Sequence, residues 1–261
     1  MESSLIDTIF LSEKRKNLLL LLLDGPKSSD EIKEALDVSW RAMIPQIKKL
    51  KENDLVIQEN KIYSLSSVGK LVVENMRPLL DTLKVVELDN NYWVNRDLST
   101  VPEGLSKRIG ELGDCILVEP DLDHLFELPA EFTVHIKGSK NVLICASYFH
   151  PAYPGLYSEL VDNGVELSIV MTESVLERFK QDCMDELKKM LGSKKVHLYV
   201  CDEGIKPPTV IITDEALLLS FFNISGKYDH KDIVSSDPGA LEWGKELFQY
   251  YREISRQLSE V

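Results

Sequence analysis

The first forty residues carry apolar positions in helical spacing, separated by short polar breaks. Leucines fill the second half of Glu13–Leu23, and Asp24-Gly25-Pro26 ends this helix because glycine accepts a left-handed backbone and proline cannot continue a helix. The tetrad Ser28-Ser29-Asp30-Glu31 forms a capping box, which predicts a second helix that ends near Asp37. The pattern therefore predicts two helices in close succession.

A third helix and a hairpin follow. Ser39 is the expected N-cap of a helix over 40–53, in which Met43, Ile47 and Leu50 form one apolar face. Two short extended runs, 55–58 and 61–65, come next, with Glu59-Asn60 as the tight turn between them. This order predicts an α+β winged helix-turn-helix, whose third helix enters the major groove of DNA.

A long amphipathic helix is predicted from Ser66 or Ser67 to about residue 88. Pro78 is expected to bend it, and its apolar positions are Val68, Val72, Met76, Leu79 and Leu83. The helix is either a dimerisation and connector helix or one that packs only within its own chain. The helical spacing of apolar residues breaks around Asn90-Asn91-Tyr92, which predicts a linker there. The predicted domains are a winged helix-turn-helix at 1–66, a connector helix and linker at 67–95, and a sensor or effector domain at 96–261.

From residue 96 helices alternate with short β-rich runs. Strands are predicted at 115–118, 142–147, 165–171, 196–200, 209–213 and 216–222. Helices are predicted up to residue 112 from a capping box at Thr100, and at 154–162, 173–191 and 237–258. Because strands separated by helices usually connect by right-handed crossovers, we expect an α/β domain with a mixed, partly parallel sheet.

Composition and charge narrow the class of protein. The 261 residues are 44% hydrophobic and 28% charged, as is typical of globular proteins. The longest apolar run, six leucines at 18–23, is shorter than the roughly 20 residues of a bilayer span, and no secretory leader pattern opens the chain. We therefore expect a cytoplasmic protein without membrane contact. Residues 1–80 hold twelve basic and twelve acidic residues, so the net charge of −13 lies wholly beyond them and indicates different partners for the two parts.

The third helix and the hairpin supply the candidate DNA contacts. Arg41 suits a guanine edge, Gln46 an adenine edge, and Lys48 and Lys49 suit phosphates. The alternative is a solvated charged face. Further candidates are Ser39, Trp40, which contacts a sugar or packs on the second helix, and Lys61, which contacts phosphate or keeps the hairpin soluble.

Candidate ligand contacts in the second part are Tyr148, His150, Tyr153 and Tyr157. They cluster just after a predicted strand, where α/β sheets collect ligands, and suit a small polar metabolite. The alternative is a proline-rich structural turn with tyrosines packed at its edge.

No metal or cofactor site is predicted. Asp229, His230 and Asp232 are metal-ligand types, but a polar surface loop is the favoured interpretation. The cysteines are widely spaced, which favours reduced, buried thiols, and Cys183 lacks the basic neighbour of a redox sensor; the four are Cys115, Cys145, Cys183 and Cys201.

Two resemblances extend these interpretations. The first 75 residues resemble ArsR-like winged helix-turn-helix regulators. The phrases YFHPAYP at 148–154, GVELSIV at 164–170 and ALEWGKELFQYY at 240–251 resemble an archaeal family of transcriptional regulators that includes methanogen filament and methanogenesis regulators. This resemblance covers essentially the whole chain. It implies a dimeric DNA-binding regulator whose C-terminal domain receives a signal.

The central segment is more remotely similar to half of a phospholipase D-like fold, as in archaeal sugar-responsive regulators. His135 and Lys137 match the start of the H-x-K-x4-D motif of that chemistry, but Val142 occupies the aspartate position. A second copy of the motif, which would supply the second histidine, is absent. An enzyme is therefore not expected.

The sequence as a whole predicts a homodimeric regulator that binds double-stranded DNA and responds to a small-molecule or protein signal. Its third helices would read half-sites one DNA turn apart, and a ligand would change their separation through the helix at 67–88. The alternative is a non-enzymatic adaptor that uses its winged helix for protein contacts.

Overall fold

The computed structural model describes residues 4–124, 127–202 and 204–260, without the side chains of Leu122 and Glu131. The chain divides into two compact units, Met1–Leu80 and Asp81–Val261, called here the N-terminal and the C-terminal unit. This division falls inside the predicted connector.

The N-terminal unit begins with α1 (Leu5–Phe10), which the sequence pattern did not predict. It continues with α2 (Glu13–Leu23), the short strand β1 (Lys27–Ser28), α3 (Ser29–Leu36) and α4 (Trp40–Glu52). The bounds of α2, α3 and α4 agree closely with the sequence pattern. The capping box is confirmed, since Ser28 Oγ accepts from the Glu31 backbone and the Glu31 carboxylate accepts from the Ser28 backbone. Met43, Ile47 and Leu50 are buried as predicted, so α4 has one inward and one outward face.

The hairpin is confirmed as β2 (Val56–Glu59) and β3 (Ile62–Leu65), called here the wing. Its turn residues are Asn60 and Lys61, with φ of 47° and 67°, so the predicted turn at Glu59-Asn60 was wrong by one residue. The reason is that Glu59 still pairs with Ile62 in the ladder. Strand β1, which the pattern did not predict, pairs with β3 and makes the sheet three-stranded.

Helix α5 (Ser67–Glu87) continues through Pro78. Of the five predicted apolar positions Met76 is buried, whereas Val68, Leu79 and Leu83 are exposed. Gly69 allows α5 to begin close to the preceding loop, because a Cβ there would lie 2.0 Å from the carbonyl oxygen of Leu55.

The predicted linker around residue 90 was wrong, because a helix stands there instead. Helix α6 (Asn90–Val94) begins at the N-cap Asp89, whose side chain accepts from the Tyr92 backbone. Tyr92 and Trp93 are buried in the core of the C-terminal unit, which accounts for the order of this segment.

The C-terminal unit alternates helices and strands. Its elements are α7 (Glu103–Ser106), a 3₁₀ helix at Ile109–Leu112, β4 (Ile116–Val118), a 3₁₀ turn at Leu122–His124, α8 (Ala130–Gly138), β5 (Asn141–Ala146), α9 (Tyr153–Asp162), β6 (Glu166–Thr172), α10 (Glu173–Asp182), α11 (Met184–Gly192), β7 (Val196–Cys201), β8 (Thr209–Ile212), β9 (Leu217–Ser220), β10 (Asp232–Ser235), α12 (Pro238–Glu253) and β11 (Ser255–Leu258).

All six predicted strands are present, and they belong to one eight-stranded sheet with the order β11-β7-β6-β5-β8-β9-β10-β4. The pairs β5–β6 and β6–β7 are parallel, whereas the other pairs are antiparallel. The predicted mixed, partly parallel sheet is therefore confirmed.

The sheet carries a core on each face. Successive residues of β5, Ile144 and Cys145, belong to opposite cores, as the alternation of side chains along a strand requires. One core includes Phe179 of α10, and the other includes Trp243 of α12. Gly244 lets α12 lie close to the sheet, because a Cβ there would be 2.4 Å from a methyl carbon of Leu217.

Three predicted helices of this unit differ from the structure. The helix expected up to residue 112 is the short α7 followed by a 3₁₀ helix, and the helix expected over 173–191 is interrupted at Cys183. The helix expected over 237–258 ends at Glu253, and the last residues form β11 because they complete an antiparallel ladder with β7. Strand β10 was not predicted.

Candidate nucleic-acid interface and ligand cavity

The outward face of α4 presents a short polar stripe. Arg41 and Lys48 are exposed on it, opposite the buried Met43 and Ile47, because residues three, four and seven apart share a helix face. Lys48 lies 3.8 Å from the Glu52 carboxylate, an exposed pair that contributes little stability.

Three basic side chains of this region have neither an ion pair nor a side-chain hydrogen bond within the described part of the chain, whereas Lys51 donates to Gln58. They are Arg41 at the start of α4, the half-buried Lys49, and Lys61 at the tip of the wing. Basic groups without a protein partner keep their donors available for phosphate oxygens or base edges.

Gln46 does not lie on the outward face. Its Oε1 accepts a hydrogen bond from Arg15 Nη1 at 2.8 Å and from Ser12 Oγ at 3.4 Å. Arg15 is itself buried and donates through Nε to the carbonyl of Thr8. Gln46 thus joins α4 to α2, so an adenine contact by its amide is not supported.

The remaining interface candidates lie around the start of α4. Ser39 is the N-cap residue and is exposed, although its side chain makes no capping hydrogen bond. Trp40 packs against Tyr63 of the wing with ring centroids 5.6 Å apart, and it also packs on the core of the N-terminal unit. This contact fixes the wing beside α4.

Apolar side chains are mixed with the basic ones on this surface. Ile44 of α4 and Ile57 and Ile62 of the wing are exposed. Trp40, Ile44 and Tyr63 also line a groove of about 400 Å³ between α4 and the wing.

A cavity of about 550 Å³ lies beside the antiparallel half of the large sheet. Tyr148, His150 and Tyr153, which follow β5, line it as the sequence predicts. Tyr157 lies outside the lining. It is fully buried behind Tyr153, with the two rings stacked at 5.5 Å, and its hydroxyl makes no hydrogen bond to any described residue.

Several cavity residues come from parts of the chain that the sequence pattern did not connect to the site. The ring of Tyr228 stacks on that of Tyr148 with centroids 4.3 Å apart, and His230 packs against Tyr228 at 4.7 Å. The carboxylate of Asp232, at the start of β10, also lines the cavity. These residues reach the cavity because β10 pairs with β9. That pairing belongs to the tertiary fold and cannot be seen in a local sequence pattern.

Asp232 is a buried carboxylate held by neutral donors. It accepts from Ser220 Oγ at 2.5 Å and from Tyr228 Oη at 2.8 Å. Burial raises the pKa of Asp232 above its ordinary value of 3.8, although both hydroxyl groups act in the opposite direction. Burial also raises the pKa values of Tyr148 and Tyr228, so both phenols stay protonated at neutral pH.

His150 adds a neutral group to the cavity. Burial, and then the neighbouring His230, lower its pKa, so the imidazole is uncharged at neutral pH. Its Nδ1 lies 3.2 Å from the Ala152 backbone nitrogen and accepts from it, which places the ring proton on Nε2.

The loop that carries Tyr228 and His230 is joined to α6 by a buried ion pair. Arg96 donates to both carboxylate oxygens of Asp229 at 2.7 and 2.6 Å. Its guanidinium lies 4.0 Å from the ring centre of Tyr92, while Trp93 Nε1 donates to the Val85 carbonyl of α5 at 2.9 Å. Continuous contacts thus lead from the cavity loop through α6 to the end of α5.

Other chemical candidates from the sequence stay apart from this site. His135 lies on α8, where its Nδ1 is 3.3 Å from a Glu215 carboxylate oxygen, and Val142 is buried in β5. Asp229 is paired with Arg96, and the described residues include no cluster of three side chains able to hold a metal ion.

The thiols and the helices add two further observations. Cys115, Cys145 and Cys201 are buried and Cys183 is half-buried, and burial raises the pKa of Cys115 to about 11. Among the described residues, the helices are too short or too polar to cross a bilayer.

Two family models match this chain. The N-terminal domain of the methanogenesis regulatory protein FilR1 matches residues 3–84, and the middle domain of the same protein matches residues 125–254. The methanogenesis regulatory protein FilR1 of Methanothrix harundinacea (strain 6Ac) is 23% identical over 257 residues, covering 95% of this chain. The chain spans 57% of the length of that curated relative.

Similar solved structures include the archaeal chromatin protein TrmBL2, with 15% identity, coverage of 97% of both chains and a TM-score of 0.45. HlyU from Vibrio cholerae N16961 is 28% identical, covering 29% of this chain and 86% of its own, with a TM-score of 0.26. The two family models together match most of the residues. The chain therefore belongs to the archaeal family of transcriptional regulators that carry FilR1 N-terminal and middle domains.

Proposed function

We propose that the chain regulates transcription by binding double-stranded DNA sequence-specifically, with α4 in the major groove and the wing on the backbone. The observation that carries this proposal is the set of basic side chains without an ion pair, Arg41, Lys49 and Lys61, on α4 and at the wing tip. The curated relative FilR1 is named a methanogenesis regulatory protein, which supports a regulatory role. Arg41 is assigned to a base edge, and Lys48, Lys49 and Lys61 to phosphates.

The test is fluorescence anisotropy with a duplex from upstream of the chain's own gene and a scrambled duplex, over a salt series. We expect Arg41→Ala to remove the preference for the native duplex, at a cost of about 1–3 kcal/mol. Lys61→Ala is expected to weaken both duplexes equally and to reduce the salt slope by about one. Lys188→Ala, an exposed lysine on α11, is the matched control. Equal binding of both duplexes by the wild type contradicts the proposal.

Homodimer formation through α5 is part of the proposal. Val68, Leu71, Leu79 and Leu83 follow one stripe of this helix and remain 43–63% exposed. Asn75 lies within the same stripe, in the manner of a polar residue that sets register between paired helices. Light scattering is expected to give a dimer for the wild type and a monomer for Leu79→Glu. A monomeric wild type contradicts this part alone.

The cavity is the proposed effector site. Asp229 stands between the lining residues Tyr228 and His230, so a ligand that moves this loop acts on Arg96, α6 and then α5. Because α5 begins at Ser67, it belongs to both units. A ligand is therefore expected to change the affinity for the native duplex in the wild type but not in Asp229→Asn, whose weakened link to Arg96 uncouples the loop.

The exposed isoleucines favour a second candidate, a protein-binding adaptor. Ile44, Ile57 and Ile62 add exposed apolar surface to α4 and the wing, and such surface is typical of protein-binding sites. The N-terminal unit also has no excess of basic residues. The salt series separates the two functions, since only groove binding predicts affinity that falls steeply with salt.

A further inference from the structure

The cavity beside β10 has the size of a small-molecule site. Its volume of about 550 Å³ lies within the range of roughly 300–1,000 Å³ that is typical of ligand pockets. Aromatic rings form much of its wall, because Tyr148, Tyr153 and Tyr228 line it together with His150.

The charges around the cavity are one-sided. Four carboxylate residues line it, Glu119, Asp121, Glu127 and Asp232, whereas no lysine or arginine occurs among its described lining residues. Lys231 lies nearby, but its Nζ pairs with the Glu119 carboxylate at 2.9 Å. Proteins bind phosphates and carboxylates with arginine, lysine or arrays of N–H donors, so this wall disfavours an anion.

The amino end of α8 attracts an anion, because Pro129 and Ala130 border the cavity there. A helix end carries about half a positive charge. Glu119 is paired with Lys231 and Glu127 contacts His124, but Asp121 and Asp232 still outweigh that partial charge, so the field in the cavity is negative.

Asp232 identifies the point where a cation would bind. Its carboxylate is buried and accepts hydrogen bonds from the neutral hydroxyl groups of Ser220 and Tyr228, while the neighbouring His230 acts electrostatically to lower its pKa. A buried carboxylate without a cationic partner is costly, and asparagine would accept the same hydrogen bonds at lower cost. The negative charge of Asp232 is explained if a ligand supplies its positive partner.

We infer that the cavity binds a small organic cation with a flat apolar body, such as an amidine or a protonated nitrogen heterocycle, with Asp232 as its counter-ion. The rings of Tyr148 and Tyr228 provide aromatic surface for such a body, and aromatic rings also attract cations. The role of this ligand as an effector rests on the proposed function, whereas its binding does not.

Three probes of the same shape test the charge preference directly. Benzamidine is a cation, benzamide is neutral and benzoate is an anion, so calorimetry with the intact chain at constant ionic strength compares three charges on the same ring. Benzamidine is expected to bind more tightly than benzamide, and benzoate is expected to bind least. Equal or tighter binding of benzoate, or no binding of benzamidine, overturns the inference.

Variants locate the interaction. Asp232→Asn is expected to weaken benzamidine at least about tenfold and to abolish the preference over benzamide, since a charge-assisted hydrogen bond is roughly twice as strong as a neutral one. Asp185→Asn, on the exposed surface of α11, removes the same charge elsewhere and is expected to leave binding unchanged. Glu119→Gln, at the exposed rim, is expected to weaken benzamidine by a smaller factor and serves if Asp232→Asn does not fold.

A stability measurement separates binding from a structural role. If His230 is instead the permanent cationic partner of Asp232, Asp232→Asn destabilises the free protein. If the partner is a ligand, the same variant stabilises the free protein while it weakens benzamidine. Loss of stability together with unchanged binding overturns the inference. Binding of benzamidine without any effect on DNA affinity contradicts only the effector role.

Discussion

The ion pair of Arg96 and Asp229 yields a prediction whose asymmetry follows from burial. The Arg96 side chain is 2% exposed and that of Asp229 is 32% exposed. Removing the carboxylate leaves a buried cation without its anion, and breaking a buried ion pair in this way costs about 3–5 kcal/mol. Removing the guanidinium leaves an anion that water can reach. Asp229→Asn is therefore expected to destabilise the C-terminal unit more than Arg96→Met does.

The contacts set the expected magnitudes. In Asp229→Asn the guanidinium keeps the Tyr92 ring at 4.0 Å and the Tyr92 carbonyl at 3.2 Å, so the loss falls at the lower limit, about 3 kcal/mol. Arg96→Met loses a cation–π contact and two carbonyl hydrogen bonds but fills the space with apolar volume, for about 2 kcal/mol. The double variant has no buried cation and is expected to resemble Arg96→Met.

Urea unfolding followed by tryptophan fluorescence measures these differences. A Trp40→Phe background leaves Trp93 and Trp243, both in the C-terminal unit, as the fluorescent reporters. The exposed pair of Arg256 and Glu173 is the matched control, and Arg256→Met is expected to cost less than about 1 kcal/mol. The reasoning is refuted if Asp229→Asn costs no more than Arg256→Met, or if the effects of the two single variants add in the double variant.

Three further predictions concern other parts of the molecule. Gly69→Ala, which would stabilise an ordinary helix by about 1 kcal/mol, is expected to destabilise the N-terminal unit because its Cβ would meet the Leu55 carbonyl at 2.0 Å; a higher melting temperature would contradict this close approach. Because the pKa of Asp232 is raised, the folded state binds more protons than the unfolded state above pH 3.8. The wild type should therefore lose stability relative to Asp232→Asn as pH rises from 3.8, and the urea midpoints of both proteins at pH 4 and 7 measure this difference. Cys145 is buried and its thiol pKa is raised, so iodoacetamide at pH 8 is expected to label it only after unfolding. The half-buried Cys183 is expected to be labelled before Cys145, and peptide mass spectrometry measures the order of labelling.

The sequence predicted most of the helices and strands because the patterns that define them lie within a few neighbouring residues. The spacing of Met43, Ile47 and Leu50 defines the inward face of α4 without reference to the rest of the chain. Strand β11 shows the limit. Ile254 follows Tyr251 in helical spacing, yet the next residues leave the helix because they pair with β7. That ladder depends on a strand more than fifty residues earlier, and a local pattern contains no information about it.

The sequence likewise predicted only part of the cavity lining. Tyr148, His150 and Tyr153 follow one strand, and the sequence grouped them correctly, although ligand contact by these residues stays a prediction. Asp232 was grouped with Asp229 and His230 as a polar surface loop, and that interpretation was wrong for Asp232, which is buried. Its burial follows from the pairing of β10 with β9 and β4, and β10 has only four residues with polar ends.

Strand β4 has a consequence for local opening of the native state. It consists of three residues, lies at the edge of the sheet and, among the described strands, pairs with β10 alone, while its last residue, Val118, borders the cavity. Edge segments with few hydrogen bonds open at lower free energy than central strands such as β5 and β6. A bound ligand that contacts Val118 disfavours that opening by RT ln(1 + [L]/Kd), where [L] is the concentration of free ligand. Amide hydrogen exchange at 116–118 should therefore slow as the cavity fills, while the already protected amides of β5 change little, so the sheet edge itself reports occupancy.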